Sequence, residues 1–218
     1  MTVSKDPWTT SKMKERNAQH EGRVHAYLDR VIADKPAHAR FMNMLSMLEH
    51  MGSRKIMLSQ MNRTLTEDSL KHLAEEARHA YYFKRQAERA HGGPMDGYEN
   101  GNMTCRIPAL MYFGRMDAGI SKRVGDDEAY GWVSLIIELR ACWLYHIYQT
   151  ALDASDYQMS LKSLLAEEDL HLAEMFEMCG DNAELLQELS AYETGLFETL
   201  WAALEAEEQA SVENRAAA

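Results

Sequence analysis

The sequence predicts an all-α protein, a four-helix bundle of two antiparallel hairpins joined by a long crossover, with an extra helix at each end. Three observations carry that expectation. The 218 residues include only 4 Pro and 12 Gly, while Ala, Leu, Met and Glu abound, a composition that favours helix over sheet. Apolar residues recur at helical spacing through most of the chain. Two links between periodic stretches are short, "NRTLTED" and "DASD", whereas residues 92–126 form one long connection. Short links make antiparallel neighbours, and the long one lets both hairpins share a core.

Taken in order, residues 1–12 read as an irregular arm and about 13–33 as an amphipathic helix ending before "ADKPAH". Pro36 suits the first turn of the next helix, expected over about 37–62, where Phe41, Met44, Leu45, Leu48, Met51 and Met57 form the apolar stripe. Thr64 and Glu67 are spaced as a capping box for a helix over about 66–91, which stops at "HGGP". The connection 92–126 is too apolar for a free linker ("RIPALMYFGRM") and is expected to pack along the body with a short helix. Residues 127–152 are apolar on nearly every side, as an interior helix is. A helix over about 157–179 follows, then a sixth over 182–207 and a frayed tail. All 218 residues are expected to form one domain, with the bundle core at about 37–179.

A net charge of −11 argues against nucleic acid or an anionic membrane as partner. Cys105, Cys142 and Cys179 show no C-x-x-C spacing, which suits a reducing compartment and offers no rubredoxin-type iron site. The first residues lack an apolar leader segment and no stretch reads as a membrane span, so a cytoplasmic location is expected.

The chemistry lies in a repeat. "LAEEARH" at 73–79 returns as "LAEEDLH" at 165–171. Positions i and i+3 share a helix face, so Glu76 points with His79 and Glu168 with His171. A lone glutamate stands in mid-helix before each pair, Glu49 by 27 residues and Glu138 by 30. Counting from the two short links at ~1.5 Å per residue, all four groups reach a common depth of ~20 Å. Glu138 sits in "SLIIELRAC", and a buried carboxylate without compensation costs several kcal/mol. Arg140 cannot help along the helix, because i and i+2 face different sides. Two divalent cations would balance four inward glutamates.

One Glu from each of two helices plus Glu-x-x-His from each of the other two resembles the ferritin-like di-metal carboxylate superfamily, and the resemblance covers about residues 37–179. It implies a ferritin-like bundle and a metal site of Glu49, Glu76, His79, Glu138, Glu168 and His171, with Glu76 and Glu138 as candidates to bridge. The cofactor it implies is two iron ions, with di-manganese or mixed manganese–iron as variants. His72, four residues before Glu76, resembles the extra histidine of di-iron arylamine N-oxygenases and is a further candidate ligand, although the matching position in the second repeat is Leu164. Cys142, at Glu138+4, is expected to face the pocket, where bacterial multicomponent monooxygenases place a threonine. Glu75 and Glu167 are expected to be solvated or to stand behind the ligands. Tyr82, Trp143 and Tyr145 read as core aromatics with electron relay as the alternative. "EEARHAYYFKRQAE" is similar to the metal-binding helix of the catalytic subunit of phenylacetyl-coenzyme A epoxidase.

The implied activity is a non-haem di-iron oxidase or oxygenase that uses O2 to oxidise or hydroxylate a small organic substrate, served by an electron-donor protein. The alternative is ferritin- or rubrerythrin-like iron oxidation, storage or peroxide removal. A homodimer is compatible with either.

Overall fold

The computed structural model describes residues 11–61 and 65–216. Among these residues there are seven helices and no strand. They are α1 (Ser11–Ala33), α2 (Lys35–Gln60), α3 (Glu67–His91), α4 (Arg106–Val124), α5 (Asp126–Asp153), α6 (Lys162–Cys179) and α7 (Ala183–Ala216). Of the arm expected at 1–12, residues 1–10 lie outside the described residues, as does the Thr64 cap, while residues 11 and 12 already belong to α1.

Local chemistry sets the boundaries. Asp34 caps α2 by accepting from the Ala37 N–H at 3.2 Å, with Pro36 in the first turn, where its missing N–H costs nothing. At the start of α3 a reciprocal capping box joins Thr66 and Ser69. Gly92, at φ 83°, ends α3 in the left-handed conformation that glycine adopts without strain.

Three expectations are corrected. The connection over 92–126 contains α4, 19 residues long rather than short. The fourth bundle helix begins at Lys162, not 157, because the chain is pinned just before it: the Gln149 side chain accepts from the Leu161 N–H, and Leu161 is fully buried. The last helix continues to Ala216 instead of fraying after 207. Its far half is held in place: Glu205 accepts from Arg23 at 3.0 Å, Glu208 from Arg30 at 2.9 Å, and Arg215 pairs with Asp34. Glu207 is turned inward and accepts from Thr104 Oγ1 and the Cys105 N–H, both at 2.8 Å.

The helices form a bundle in which α2 packs along α3 and α5 along α6, while α3 meets α6. α4 and α7 lie together against α5, and α1 bridges α2, α5 and α7. One connected apolar core draws on every helix, for example Val24, Phe41, Phe83, Met116, Leu135, Leu172 and Leu189. α5 is the interior helix that its sequence suggests, buried on most sides. Against that background the buried carboxylates stand out.

Candidate metal centre

Four helices deliver seven polar side chains to one layer of the bundle. α2 supplies Glu49; α3 supplies His72, Glu76 and His79; α5 supplies Glu138; α6 supplies Glu168 and His171. Each is between 1 % and 8 % exposed, so bulk water does not screen them. Their donor atoms fall into two groups, each with all members within 4.8 Å of one another: Glu49, Glu76, His79 and Glu168, and His72, Glu76, Glu138 and His171. His79 Nδ1 lies 3.2 Å from Glu168 and 3.6 Å from Glu76, and His171 Nδ1 lies 3.4 Å from Glu168 and 3.8 Å from Glu138. Glu76 belongs to both groups and Glu138 to one. The carboxylate that joins Glu76 in reaching both inner imidazoles is Glu168. The depth counted along the helices thus puts the four glutamates in one layer, although that count does not tell which of them spans it.

Behind the inner atoms stands an outer set. His79 Nε2 donates to Glu167 at 2.8 Å, and His171 Nε2 donates to Glu75 at 2.9 Å. The two glutamates next to the predicted ligands therefore orient the histidines across the α3–α6 contact, each helix serving the other's imidazole. Arg78 braces Glu167 at 2.7 Å. His72 Nδ1 pairs with the Tyr130 hydroxyl at 3.1 Å and its Nε2 approaches Glu138 at 3.2 Å. Tyr145 donates its hydroxyl to Glu49. These outer bonds fix ring rotation and tautomer, as second partners of metal-binding histidines do.

The electrostatics have one dominant cause. Burial raises Glu49 and Glu138 well above the usual carboxylate range, reinforced by the neighbouring charges of Glu76 and Glu168. Burial raises Glu76 as well. It opposes charge on Glu168 too, but the neighbouring Glu138, His171 and His79 outweigh it and hold Glu168 below its ordinary value. Burial disfavours charged His79, yet the carboxylates of Glu168 and Glu76 beside it lift it to about 11, and His171 is raised by Glu168 and Glu75. His72 is driven the other way, to about 3, by burial and by His171.

Among the described residues eight buried side-chain atoms have no hydrogen-bond partner, and four of them lie in this layer: Glu76 Oε1, His79 Nδ1, Glu168 Oε2 and His171 Nδ1. Orphaned buried polar atoms are costly and rare, and here all four belong to the same two groups and face one another. A carboxylate–imidazole donor set of this kind suits iron, manganese or zinc. The residues present therefore fit a pair of divalent ions, and these buried groups can hold metal.

An apolar cavity of about 80 Å³ opens on Glu49, Glu76 and Glu138. Its walls include Leu48, Ile137 and Ala141, together with Phe113 from α4 and Phe197 and Leu200 from α7. Cys142 is buried but is not among the residues lining it. The reason is angular: at ~100° per residue, Ile137, Ala141 and Leu144 fall on one flank of Glu138 and Cys142 on the other. There burial, with the charges of Glu168 and Asp169, raises the thiol. Of the three aromatics considered as relays, Tyr145 touches a site carboxylate. Tyr82 instead donates to the Ser160 carbonyl at 2.7 Å, and Trp143 packs on Phe197.

Sequence reasoning missed Tyr130, Arg78 and Gly52. Gly52 stands where an added Cβ would lie 2.9 Å from Glu76 Oε2; its one visible signal was a glycine in mid-helix three residues after Glu49. The chain matches no protein-family model, no curated protein and no solved structure.

Proposed function

We propose that the chain is a non-haem di-iron oxidase or oxygenase of ferritin-like topology, with α2–α3 and α5–α6 as its hairpins and Glu49, Glu76, His79, Glu138, Glu168 and His171 as ligands of two iron ions. The observation that carries the reading is the apolar cavity opening directly on three of the carboxylates. A site devoted to moving iron would be better served by a polar approach lined with exchangeable carboxylates. An apolar approach suits an organic substrate and O2. At about 80 Å³ the cavity is smaller than the roughly 150 Å³ that holds benzene in an engineered core, so a slim alkyl or small ring portion is the best fit.

When bound, the two irons would supply the redox chemistry for reducing O2. The balance for hydroxylation is RH + O2 + 2 e⁻ + 2 H⁺ → ROH + H2O, with the electrons drawn from an external donor protein. The chain's own groups set the conditions. Burial of the whole layer excludes water. The hydroxyl of Tyr145 holds a proton at Glu49. Glu49 and Glu138, whose ionisation burial suppresses, would give up protons on holding cations, so affinity should fall with falling pH. Glu75 and Glu167 hold Nε2 of each inner histidine, leaving Nδ1 turned into the layer where it would ligate a cation.

The test is anaerobic loading with ferrous iron followed by O2. Uptake should stop at two irons per chain, and small apolar compounds should accelerate O2 consumption and emerge hydroxylated with label from ¹⁸O2. Retention of hundreds of irons per assembly would move the assignment to storage, and no iron above background would end both readings.

A further inference from the structure

We infer that His72 is a seventh protein ligand and that it makes the two metal positions unequal, so that the position it serves fills first. The inference rests on the metal-centre reading above and deepens it.

The geometry treats three imidazoles alike. Each is buried, each turns one nitrogen toward the carboxylate layer, and each has its other nitrogen held by an oxygen of a neighbouring side chain. For His79 the holder is Glu167, for His171 it is Glu75, and for His72 it is Tyr130. His72 Nε2 lies 3.2 Å from Glu138 Oε1 and 3.8 Å from Glu76 Oε1, the two carboxylates it would share an ion with. Its ring centroid is 4.3 Å from that of His171. A purely structural histidine donating to Glu138 would explain the first distance alone. It would not explain why the same nitrogen also faces Glu76 and lies within 4.8 Å of the inner donor atom of His171.

Charge supports the assignment. Four carboxylates balance two divalent ions, so a neutral imidazole adds a bond without adding charge. The two positions then differ in kind. One is bounded by His72, His171, Glu76 and Glu138, the other by His79, Glu49, Glu76 and Glu168. The second repeat has Leu164 where the first has His72, and Leu164 is a buried apolar residue. Two nitrogens and two carboxylates favour borderline ions such as Co²⁺ or Fe²⁺ more than one nitrogen and three carboxylates do.

Anaerobic titration of the metal-free protein with Co²⁺, followed by visible absorption and by counting bound ions, reads the inference without any turnover. The wild type should bind two ions in separable steps, at least about tenfold apart in Kd. His72→Leu should weaken the first step by about a hundredfold while still folding and binding at the other position, and Tyr130→Phe should weaken that step by about tenfold, as loss of an outer partner does. Two ions bound identically by wild type and His72→Leu would overturn the inference and leave the metal centre standing. No Co²⁺ bound by wild type would overturn both. If His72→Leu fails to fold, His72→Gln takes its place, with the same weakening of the first step expected; an unchanged first step there would again sink the inference.

Discussion

Gly52 shows how one absent atom can serve a site. It stands on α2 one turn after Glu49, and a Cβ there would meet the tip of the Glu76 side chain at 2.9 Å. The tip can swing away, so Gly52→Ala should not harm the fold; replacing a helical glycine is expected to add up to about 1 kcal/mol of stability. The displaced group, however, is the carboxylate common to both donor groups. The expected outcome is a metal-free protein that melts no lower than wild type but binds Co²⁺ at least about tenfold more weakly. Equal affinities would mean that Glu76 is not held by that close approach. At this scale the sequence is legible where spacing alone fixes direction. Glu76 with His79 and Glu168 with His171 share faces by i, i+3 geometry, and Glu49 and Glu138 are found by depth. His72 shares the face too, but its outer nitrogen is held by Tyr130 from α5, 58 positions away, and no local pattern encodes that.

The α5–α7 contact turns on a group that the sequence left unpaired. Arg140 is 8 % exposed and forks onto Glu193 of α7, its Nε and a terminal nitrogen reaching the two carboxylate oxygens at 2.9 and 2.7 Å. Tyr112 of α4 donates to the same carboxylate at 2.6 Å, and Asn17 of α1 accepts from Arg140 at 3.1 Å. Four helices thus meet at one ion pair. Arg140→Met strands a buried carboxylate and should cost about 3–5 kcal/mol in urea unfolding. The double variant Arg140→Met, Glu193→Leu should recover much of that loss, because no unpaired charge remains. Additive losses would argue that packing, not charge, dominates there. Periodicity outlined the helices that bear the site, since their apolar stripes are long. It understated α4, which begins after a glycine-rich stretch and carries Gly114 and Gly119 inside it. Its helical state is secured by packing against α5 and α7 rather than by propensity. The extent of α7 was hidden for a similar reason, because the partners of Glu205 and Glu208 lie on α1.

For the molecule as a whole, acid sensitivity should come in part from a histidine remote from the carboxylate layer. His38 is fully buried, bonded through Nε2 to the Tyr148 hydroxyl, and burial lowers it to about 4. Its folded value lies below its unfolded one, so the unfolded chain takes up the proton first. Stability is lost as pH falls from about 6.5 toward 4, and the loss at pH 5 relative to pH 8 should be about 2 kcal/mol. Comparing chelator-treated wild type with His38→Gln by urea unfolding at both pH values isolates this share; parallel losses in the two proteins would place the sensitivity elsewhere. The bundle also has two helices that line the cavity without contributing to the layer. Every side chain of the carboxylate–imidazole layer rides on α2, α3, α5 or α6, while α4 and α7 bring Tyr112, Phe113, Met116, Phe197, Leu200 and Trp201 to the cavity. A lineage carrying this scaffold could therefore reshape much of the cavity wall by drift in α4 and α7, under selection that never touches the carboxylate–imidazole layer, and a protein engineer could diversify those two helices as a library while the other five are inherited unchanged.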